Sequence, residues 1–200
     1  MLMTKSIKIS FLLVAMMSFS SVFAHSDVAT LQGGFLTGFL HPIQGVDHVI
    51  AMVAVGLWGV FLGRPAIWVL PLVFPLVMAF GGVLGIVSVG IPNIELGIAL
   101  SGVVLGAAVV FAWKPPLWVA AILVSCFAIF HGHAHGTELP DAISPLAFSV
   151  GFVTGTGLLH LCGIAFGELD RFSWGHWLVR AAGLAIALLG AWFVAQVVIA

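Results

Sequence analysis

The chain has 200 residues, of which 62% are hydrophobic and only 6% are charged, with six basic and seven acidic side chains. Soluble domains carry roughly 25% charged residues, so this chain has too little polar surface to face water and must lie in a lipid bilayer. The near-neutral charge gives no reason to expect nucleic acid as a partner, and no GxxxxGK loop is present to bind a nucleotide for hydrolysis. We therefore expect an all-α integral membrane protein.

The first 24 residues have the pattern of a cleavable signal peptide. Lys5 and Lys8 precede an apolar core at residues 9–19, and a small-x-small cleavage site ends at Ala24. An uncleaved first membrane helix is the alternative. Cleavage would make His25 the amino terminus, where its free amine and imidazole could chelate a metal ion together, although a stray polar residue is the simpler interpretation. The predicted mature chain, residues 25–200, forms a single transmembrane helical domain.

A short apolar segment, Val28–Leu40, comes next and ends just before Pro42. It is too short to cross a bilayer, which takes about 20 residues in a helix. Non-helical backbone at membrane depth is tolerated where it lines a cavity. We therefore expect a short or re-entrant helix here, with a break at His41-Pro42.

Six longer apolar segments predict a compact bundle of six transmembrane helices. Their approximate bounds are Gly45–Gly63, Ala66–Val89, Ile94–Trp113, Leu117–His135, Pro145–Gly167 and Trp177–Ile199. Glycines recur four residues apart, and in lipid such pairs allow helix backbones to approach closely. The pairs are Gly34/Gly38, Gly59/Gly63, Gly81/Gly85, Gly102/Gly106, Gly151/Gly155 and Gly163/Gly167.

Three local features add detail to this bundle. Pro71 and Pro75 lie one turn apart in the second span, where each removes a backbone hydrogen bond and favours a kink. Ser144 before a proline predicts an N-cap and a fixed start for the fifth span. Cys126 and Cys162 lie in apolar runs and are expected to be small buried hydrophobes, with a metal-ligand or disulfide role as the alternative.

The connecting loops predict the orientation. A cleaved signal places the mature amino terminus outside the cytoplasm, and six spans then bring the carboxyl terminus to the same periplasmic side. Four basic residues then fall on the cytoplasmic side: Arg64, Lys114, Arg171 and Arg180. The outer connections, Gly90–Asn93 and Gly136–Ser144, contain no Lys or Arg. This distribution satisfies the positive-inside rule and predicts a multi-pass protein of the bacterial cytoplasmic (inner) membrane.

Two polar clusters interrupt the apolar segments near the predicted outer face. The first, in HPIQGVDH, contains His41, Asp47 and His48. The second, FHGHAHGTE, contains His131, His133, His135 and Glu138. Ionisable residues within membrane segments are expensive to desolvate and are functional-site candidates by default. We predict that the two clusters meet around one divalent metal ion, with Asp47 either as a ligand or as an acceptor that orients an imidazole.

His131 and His135 share one face of an ideal helix, whereas His133 points elsewhere unless the glycine-flanked end of the helix frays. His160 lies roughly 22 Å along its helix from Pro145 and hence nearer the cytoplasm. A series from His25 through the two clusters to His160 would suit relayed passage of an ion, although His160 alone could equally be a packing residue. His176 is expected to be simply solvated.

The chain resembles the HupE/UreJ permeases in three motifs. They are the His-x5-Asp-His pattern followed by AMVAVGLWG, the FHGHAHGTE segment, and GFVTGTGLLHLCG at Gly151–Gly163. The resemblance covers essentially the whole chain and implies a secondary permease for nickel or cobalt that serves metalloenzymes. It carries motif roles to the following residues: His41, Asp47, His48, His131, His135 and Glu138. His133 occupies a more variable place in the motif.

Imidazole ligands suit nickel, cobalt, zinc and copper alike, while calcium and magnesium prefer oxygen. The choice of nickel as the first candidate, and of cobalt as the second, therefore depends on the resemblance. The ion would be a transported substrate, and we expect no permanent cofactor. The residues leave two alternatives open, an intramembrane metal-dependent hydrolase and a metal sensor without transport. They also leave open whether the protein forms a homo-oligomer.

Overall fold

The computed structural model describes residues 25–138 and 144–199, and for residues 25–32 it describes the backbone only. The predicted signal peptide at 1–24 therefore lies outside the described residues. Over the described ranges the chain forms seven α-helices and no strand. They are α1 (His25–Gln44), α2 (Val46–Leu62), α3 (Ala66–Ile86), α4 (Ile94–Val110), α5 (Leu117–Thr137), α6 (Pro145–Gly167) and α7 (Ser173–Ile199). A 3₁₀ turn, Glu168–Arg171, joins α6 to α7.

Four of these helices, α3, α5, α6 and α7, are long and apolar enough to cross a membrane, and α1 with α2 makes a fifth if the bent pair is one span. Helix α4 is apolar but has 17 residues, which gives a length of about 25 Å against a hydrocarbon core of about 30 Å. The described part of the chain is thus an all-helical, multi-pass membrane protein. The count of six spans stays a prediction.

The break in the first span lies at Gly45, and the prediction of a break at His41-Pro42 is wrong. Helix α1 continues through Pro42 to Gln44, and α2 begins at Val46 after a bend of 82°. Proline near the end of a helix leaves only one carbonyl without its usual partner, so it does not stop α1. Gly45 is extended (φ −87°, ψ 111°) and is the residue that redirects the chain.

Helix α2 lies at the centre of the bundle and contacts each of the other six helices of the described chain. Most of its residues are buried, and Trp58 and Met52 are among the largest side chains with no exposed surface. Hydrophobic residues all around a helix are expected when it is surrounded by others. The polar residue His48 therefore begins a helix that is otherwise an apolar core element.

Close glycine contacts fix the helices that carry the second histidine cluster. A Cβ atom at Gly132 would overlap the backbone carbonyl of Met78, and one at Gly136 would overlap that of Gly82. The backbones of α3 and α5 therefore touch at the level of the histidines, as the small-residue spacing predicts. Gly63, a member of one of the predicted pairs, instead lies in a turn with φ +74°, and its Cβ would meet no atom within 4 Å.

The start of α6 agrees with its prediction. The Ser144 hydroxyl accepts a hydrogen bond from the Ala147 backbone N–H at 3.4 Å, and Pro145 is the first helical residue. Helix α3 continues through Pro71 and Pro75.

Two expectations at the bundle surface are wrong. Cys126 and Cys162 are exposed on the outside of the bundle, because their helices turn those faces toward the surrounding lipid. Helix α7 begins at Ser173, four residues before the predicted start, so His176 lies within it. The His176 Nδ1 atom is 2.8 Å from the Asp170 carboxylate, and the residue is paired rather than merely solvated.

Candidate metal centre

Three imidazoles from two helices converge at one end of the bundle. His48 comes from the first turn of α2, and His131 and His135 come from the end of α5. One nitrogen from each ring lies within 4.8 Å of the others. His48 and His131 are each only 1% exposed. Two nitrogens bonded to one ion at about 2 Å are at most about 4 Å apart, so the rings would close in by less than about 1 Å to hold one ion together.

A second group lies on the more accessible side of the first and shares His135 with it. Its ligand atoms, from His41, His135 and Glu138, also lie within 4.8 Å of one another. The Glu138 carboxylate is 3.3 Å from His41 Nε2 and 3.6 Å from His135 Nδ1, and its side chain is 58% exposed. An ion could therefore meet a carboxylate first and the buried imidazoles afterwards.

The imidazoles form a continuous hydrogen-bonded chain. His41 Nε2 is 2.9 Å from His135 Nδ1, and His135 Nε2 is 3.2 Å from His48 Nδ1. The chain ends where His48 Nε2 lies 3.4 Å from the Thr156 hydroxyl. In each contact between two rings one nitrogen donates and the other accepts, so neutral rings satisfy one another in the absence of an ion.

Ser101 fixes the orientation of His131. Its hydroxyl donates to the Ile98 carbonyl at 2.6 Å, and its oxygen is 3.0 Å from His131 Nε2. Since the hydroxyl proton is already used, the oxygen accepts from His131 Nε2–H. His131 Nδ1 is then the nitrogen with a free lone pair, and a partner that sets the tautomer of a metal-binding histidine in this way is typical of metal sites.

The site borders a cavity of about 200 Å³. Its lining includes His41, Asp47, His48, His131, His135 and Glu138. A neighbouring cavity of about 500 Å³ shares Asp47 and Glu138 and adds Glu95. A third cavity, of about 220 Å³, is mainly apolar and lies between α3 and α6 beside His135. The polar cavities carry acidic groups that would attract a cation.

Two of the predicted site residues, Asp47 and His133, are not part of either group. The Asp47 carboxylate accepts the backbone N–H of His48 at 2.8 Å and lines the cavity wall. His133 is buried, and its Nε2 donates to the Val89 carbonyl at 2.6 Å. Neither residue is among the ligand atoms that converge in the described part of the chain. Asp47 thus contacts the His48 backbone and no imidazole, so both of its predicted roles stay predictions, and His133 makes a helix-to-loop contact.

The last two predicted residues lie at the ends of the proposed series. His25 begins α1, and only its backbone is described. His160 is 1% exposed and lies one turn after Thr156 on α6. Its ring packs against Phe74, with 5.7 Å between the ring centroids.

Several residues at the site were not singled out from the sequence. Thr156 and Ser101 hold imidazoles, and the Phe152 ring lies 4.7 Å from His135 and 5.6 Å from His48, between centroids. A signal was present, because the buried residues of α6 that face the site recur every four positions. They are Phe148, Phe152, Thr156 and His160. Extending the helical face of His160 backwards would have found them.

The fold and the site define a multi-pass membrane protein with a buried histidine-rich centre. Residues 12–193 match the model of the HupE / UreJ protein family. The chain is also 45% identical over 168 residues to Protein HupE of Rhizobium leguminosarum bv. viciae, covering 84% of this chain and 88% of that protein. No solved structure matches it.

The chain therefore belongs to the HupE/UreJ family, and the resemblance in its three motifs is confirmed. This is a family of transporters and not of enzymes.

Proposed function

We propose that this protein is a secondary transporter that takes up nickel, and less readily cobalt, across the bacterial cytoplasmic membrane. The observation that carries the proposal is the convergence of His48, His131 and His135, with nitrogen atoms within 4.8 Å of one another, inside an apolar bundle. Buried imidazoles bind a borderline transition-metal ion better than magnesium or calcium, which prefer oxygen. The preference for nickel rests on the family.

The route begins at the exposed Glu138 carboxylate and the acidic cavities beside it. There the ion exchanges part of its water for His41 and His135 and then moves to the buried group around His48. Release follows past His160 on the far side of the centre. In this orientation the histidine end of the bundle faces the periplasm, both termini are periplasmic, and His25 is available as an additional capture group. The metal ion is the transported substrate, and the outer surface of the helix bundle contacts the lipid bilayer.

Labelled nickel uptake tests the proposal. The purified protein is reconstituted in vesicles and compared with His48→Ala and His131→Ala, which remove imidazoles from two different helices. His176→Ala is the matched control, because it removes a histidine that pairs with Asp170 away from the centre. We expect uptake to be lost in the first two variants and retained in the control. Equal uptake in all four proteins would contradict the proposal.

The same vesicles separate the other hypotheses. A metal sensor would bind nickel with the affinity set by the histidines and show no flux. Cobalt and zinc, offered in competition with labelled nickel, determine which ion is preferred. A potential or pH gradient applied across the vesicle membrane identifies what drives uptake.

A further inference from the structure

His160 is a buried polar residue without a partner. It is 1% exposed, and neither of its ring nitrogens has a hydrogen-bond partner among the described residues. Buried polar groups in folded proteins are nearly always paired, and the interior of a bilayer has no bulk water to take the place of a partner. The imidazoles of the metal centre, in contrast, satisfy one another. His160 therefore has an unused capacity to bind a ligand.

The Phe74 ring contacts both His160 and the His131 ring of the proposed metal centre. It has no exposed surface, and its centroid is 5.7 Å from the ring of His131 and 5.7 Å from the ring of His160. An ion that left His131 for His160 by way of this shared contact would meet the face or edge of the Phe74 ring. Phe74 offers no lone pair, so a dication cannot rest there without losing its ligands.

The two sides of this contact differ in how firmly they are held. Phe74 directly precedes Pro75, and Pro71 lies one turn earlier in the same helix. Because prolines lack an N–H, the carbonyls of Ile67 and Pro71 cannot receive the usual helical hydrogen bonds. On the other side, a Cβ atom at Gly56 would overlap the His160 carbonyl, so α2 and α6 are in backbone contact there. Helix α3 therefore lacks two backbone hydrogen bonds beside the Phe74 ring, and its backbone contact with α5 begins one turn later, at Met78.

We propose that Phe74 is an aromatic gate and that His160 is the inner ligand that accepts the divalent transition-metal ion when the gate moves. This inference rests on the proposed function and adds a second binding position to it. The ion is held first by the imidazoles of α2 and α5, and displacement of the Phe74 ring lets it exchange onto His160. The closed ring keeps hydrated ions from passing without dehydration at the first centre.

The first experiment compares His160→Leu and His160→Gln with the wild type. Equilibrium nickel binding is measured on the detergent-purified proteins, and labelled nickel flux is measured in vesicles. We expect the affinity of the first centre to stay within about twofold and the flux to fall at least tenfold. Because His160 has no partner to lose, the thermal midpoint should not decrease in either variant.

Three results would overturn the role of His160. They are flux within twofold of the wild type, loss of binding in parallel with flux, and a lowered thermal midpoint in both variants. The last would show that the imidazole is structural. His176→Gln serves as the control for removing a histidine outside the route.

The second experiment tests the gate with Phe74→Ala and Phe74→Leu, and with Leu70→Ala as the matched control. Leu70 is one turn earlier on α3 and equally buried, so its truncation leaves a comparable space away from the gate. We expect magnesium, which keeps its water and prefers oxygen ligands, to enter Phe74→Ala vesicles at least fivefold faster than wild-type vesicles. Phe74→Leu should leak less, and Leu70→Ala should not leak. Equal magnesium entry in Phe74→Ala and Leu70→Ala would overturn the gate.

The failure of this inference can be told from the failure of the proposed function. If the wild-type protein transports no nickel, the proposed function is wrong, and the proposal that His160 is an inner ligand is then wrong as well. If nickel is transported and His48→Ala abolishes uptake while His160→Leu does not, only the inner ligand is wrong.

Discussion

The two ends of helix α2 lie in contrasting surroundings. At its first turn His48 faces other imidazoles and a cavity of about 200 Å³. Farther along the same helix, Val55, Leu57 and Trp58 have no exposed surface, and the Trp58 indole N–H donates to the Trp113 carbonyl at 2.8 Å. The first turn is polar and borders a cavity, whereas the middle of the helix is closed and apolar.

On the proposed function, binding and closure fall on different lengths of this helix. A bare or hydrated dication has imidazole ligands at the first turn and none among the packed side chains farther along. Passage would then need a change in the packing of that apolar stretch, while the first turn keeps its geometry. The predictions below test this division.

Trp58→Ala is expected to have the largest effect, and on stability rather than binding. Removing a buried tryptophan costs about 3–5 kcal/mol, and here it also leaves the Trp113 carbonyl without its donor. Thermal unfolding in detergent should show a much lower midpoint. The folded fraction should still bind nickel with wild-type affinity. A loss of nickel affinity together with the loss of stability would show that the packing around Trp58 and the binding at His48 are not separate.

His135→Ala should have the largest effect on the metal, because this residue belongs to both ligand groups. Loss of a group that merely orients a ligand costs 10–100-fold in affinity, so we expect a loss of at least about 100-fold here. Isothermal titration with nickel measures it. The thermal midpoint of the metal-free protein should fall less than in Trp58→Ala, because two hydrogen bonds are lost, each worth about 1 kcal/mol.

Thr156→Val should weaken nickel binding about tenfold. The substitution keeps the shape of the side chain and removes the hydroxyl that lies 3.4 Å from His48 Nε2. Thr156→Ser restores the hydroxyl and should bind almost as well as the wild type. If Val and Ser variants bind equally well, this hydroxyl does not orient His48.

Acidification from pH 7.5 to 5.5 should reduce nickel uptake several-fold. Imidazole binds a metal only in its neutral form, and histidine ordinarily titrates near pH 6.5. Protons therefore compete with nickel for these nitrogens, and binding weakens as the pH falls. Initial rates of labelled uptake at fixed free nickel measure the effect, and a flat profile would argue against imidazole ligands in the rate-setting step.

His133→Ala should have the smallest effect, less than about twofold on affinity. Its ring donates to the Val89 carbonyl and faces away from the converging nitrogens. A modest loss of stability from the broken hydrogen bond, about 1 kcal/mol, is expected instead. A tenfold loss of nickel affinity would place this residue in the site.

The sequence predicted the helical class and the meeting of the two histidine clusters because both follow from strong local signals. Long apolar segments define α3, α5 and α6, and imidazoles in such segments are rare enough to mark the centre. The position of the first break was not predictable from Pro42, since a proline in the last turn is compatible with a helix. The glycine that redirects the chain is one of 24 and has no distinguishing neighbour.

The roles of the residues around the imidazoles depend on tertiary contacts and therefore could not be predicted from the sequence. Nothing in the sequence links Ser101 to His131, because the contact joins α4 to α5. The exposed positions of Cys126 and Cys162 were missed for a related reason, since an apolar run in a membrane helix does not reveal which face meets lipid. The spacing of His131, His133 and His135 did reveal that the middle residue points elsewhere.

The bend at Gly45 also decides which backbone charges an incoming ion encounters. It brings the carboxyl end of α1, with its unpaired carbonyls, close to the amino end of α2. The carboxyl end of α1 carries a partial negative charge that attracts a cation. The amino end of α2 carries a partial positive charge that repels one. The Asp47 carboxylate sits on the amino end and accepts its backbone N–H. If the protein takes up a metal ion as proposed, this carboxylate offsets the partial positive charge of the helix end beside His48.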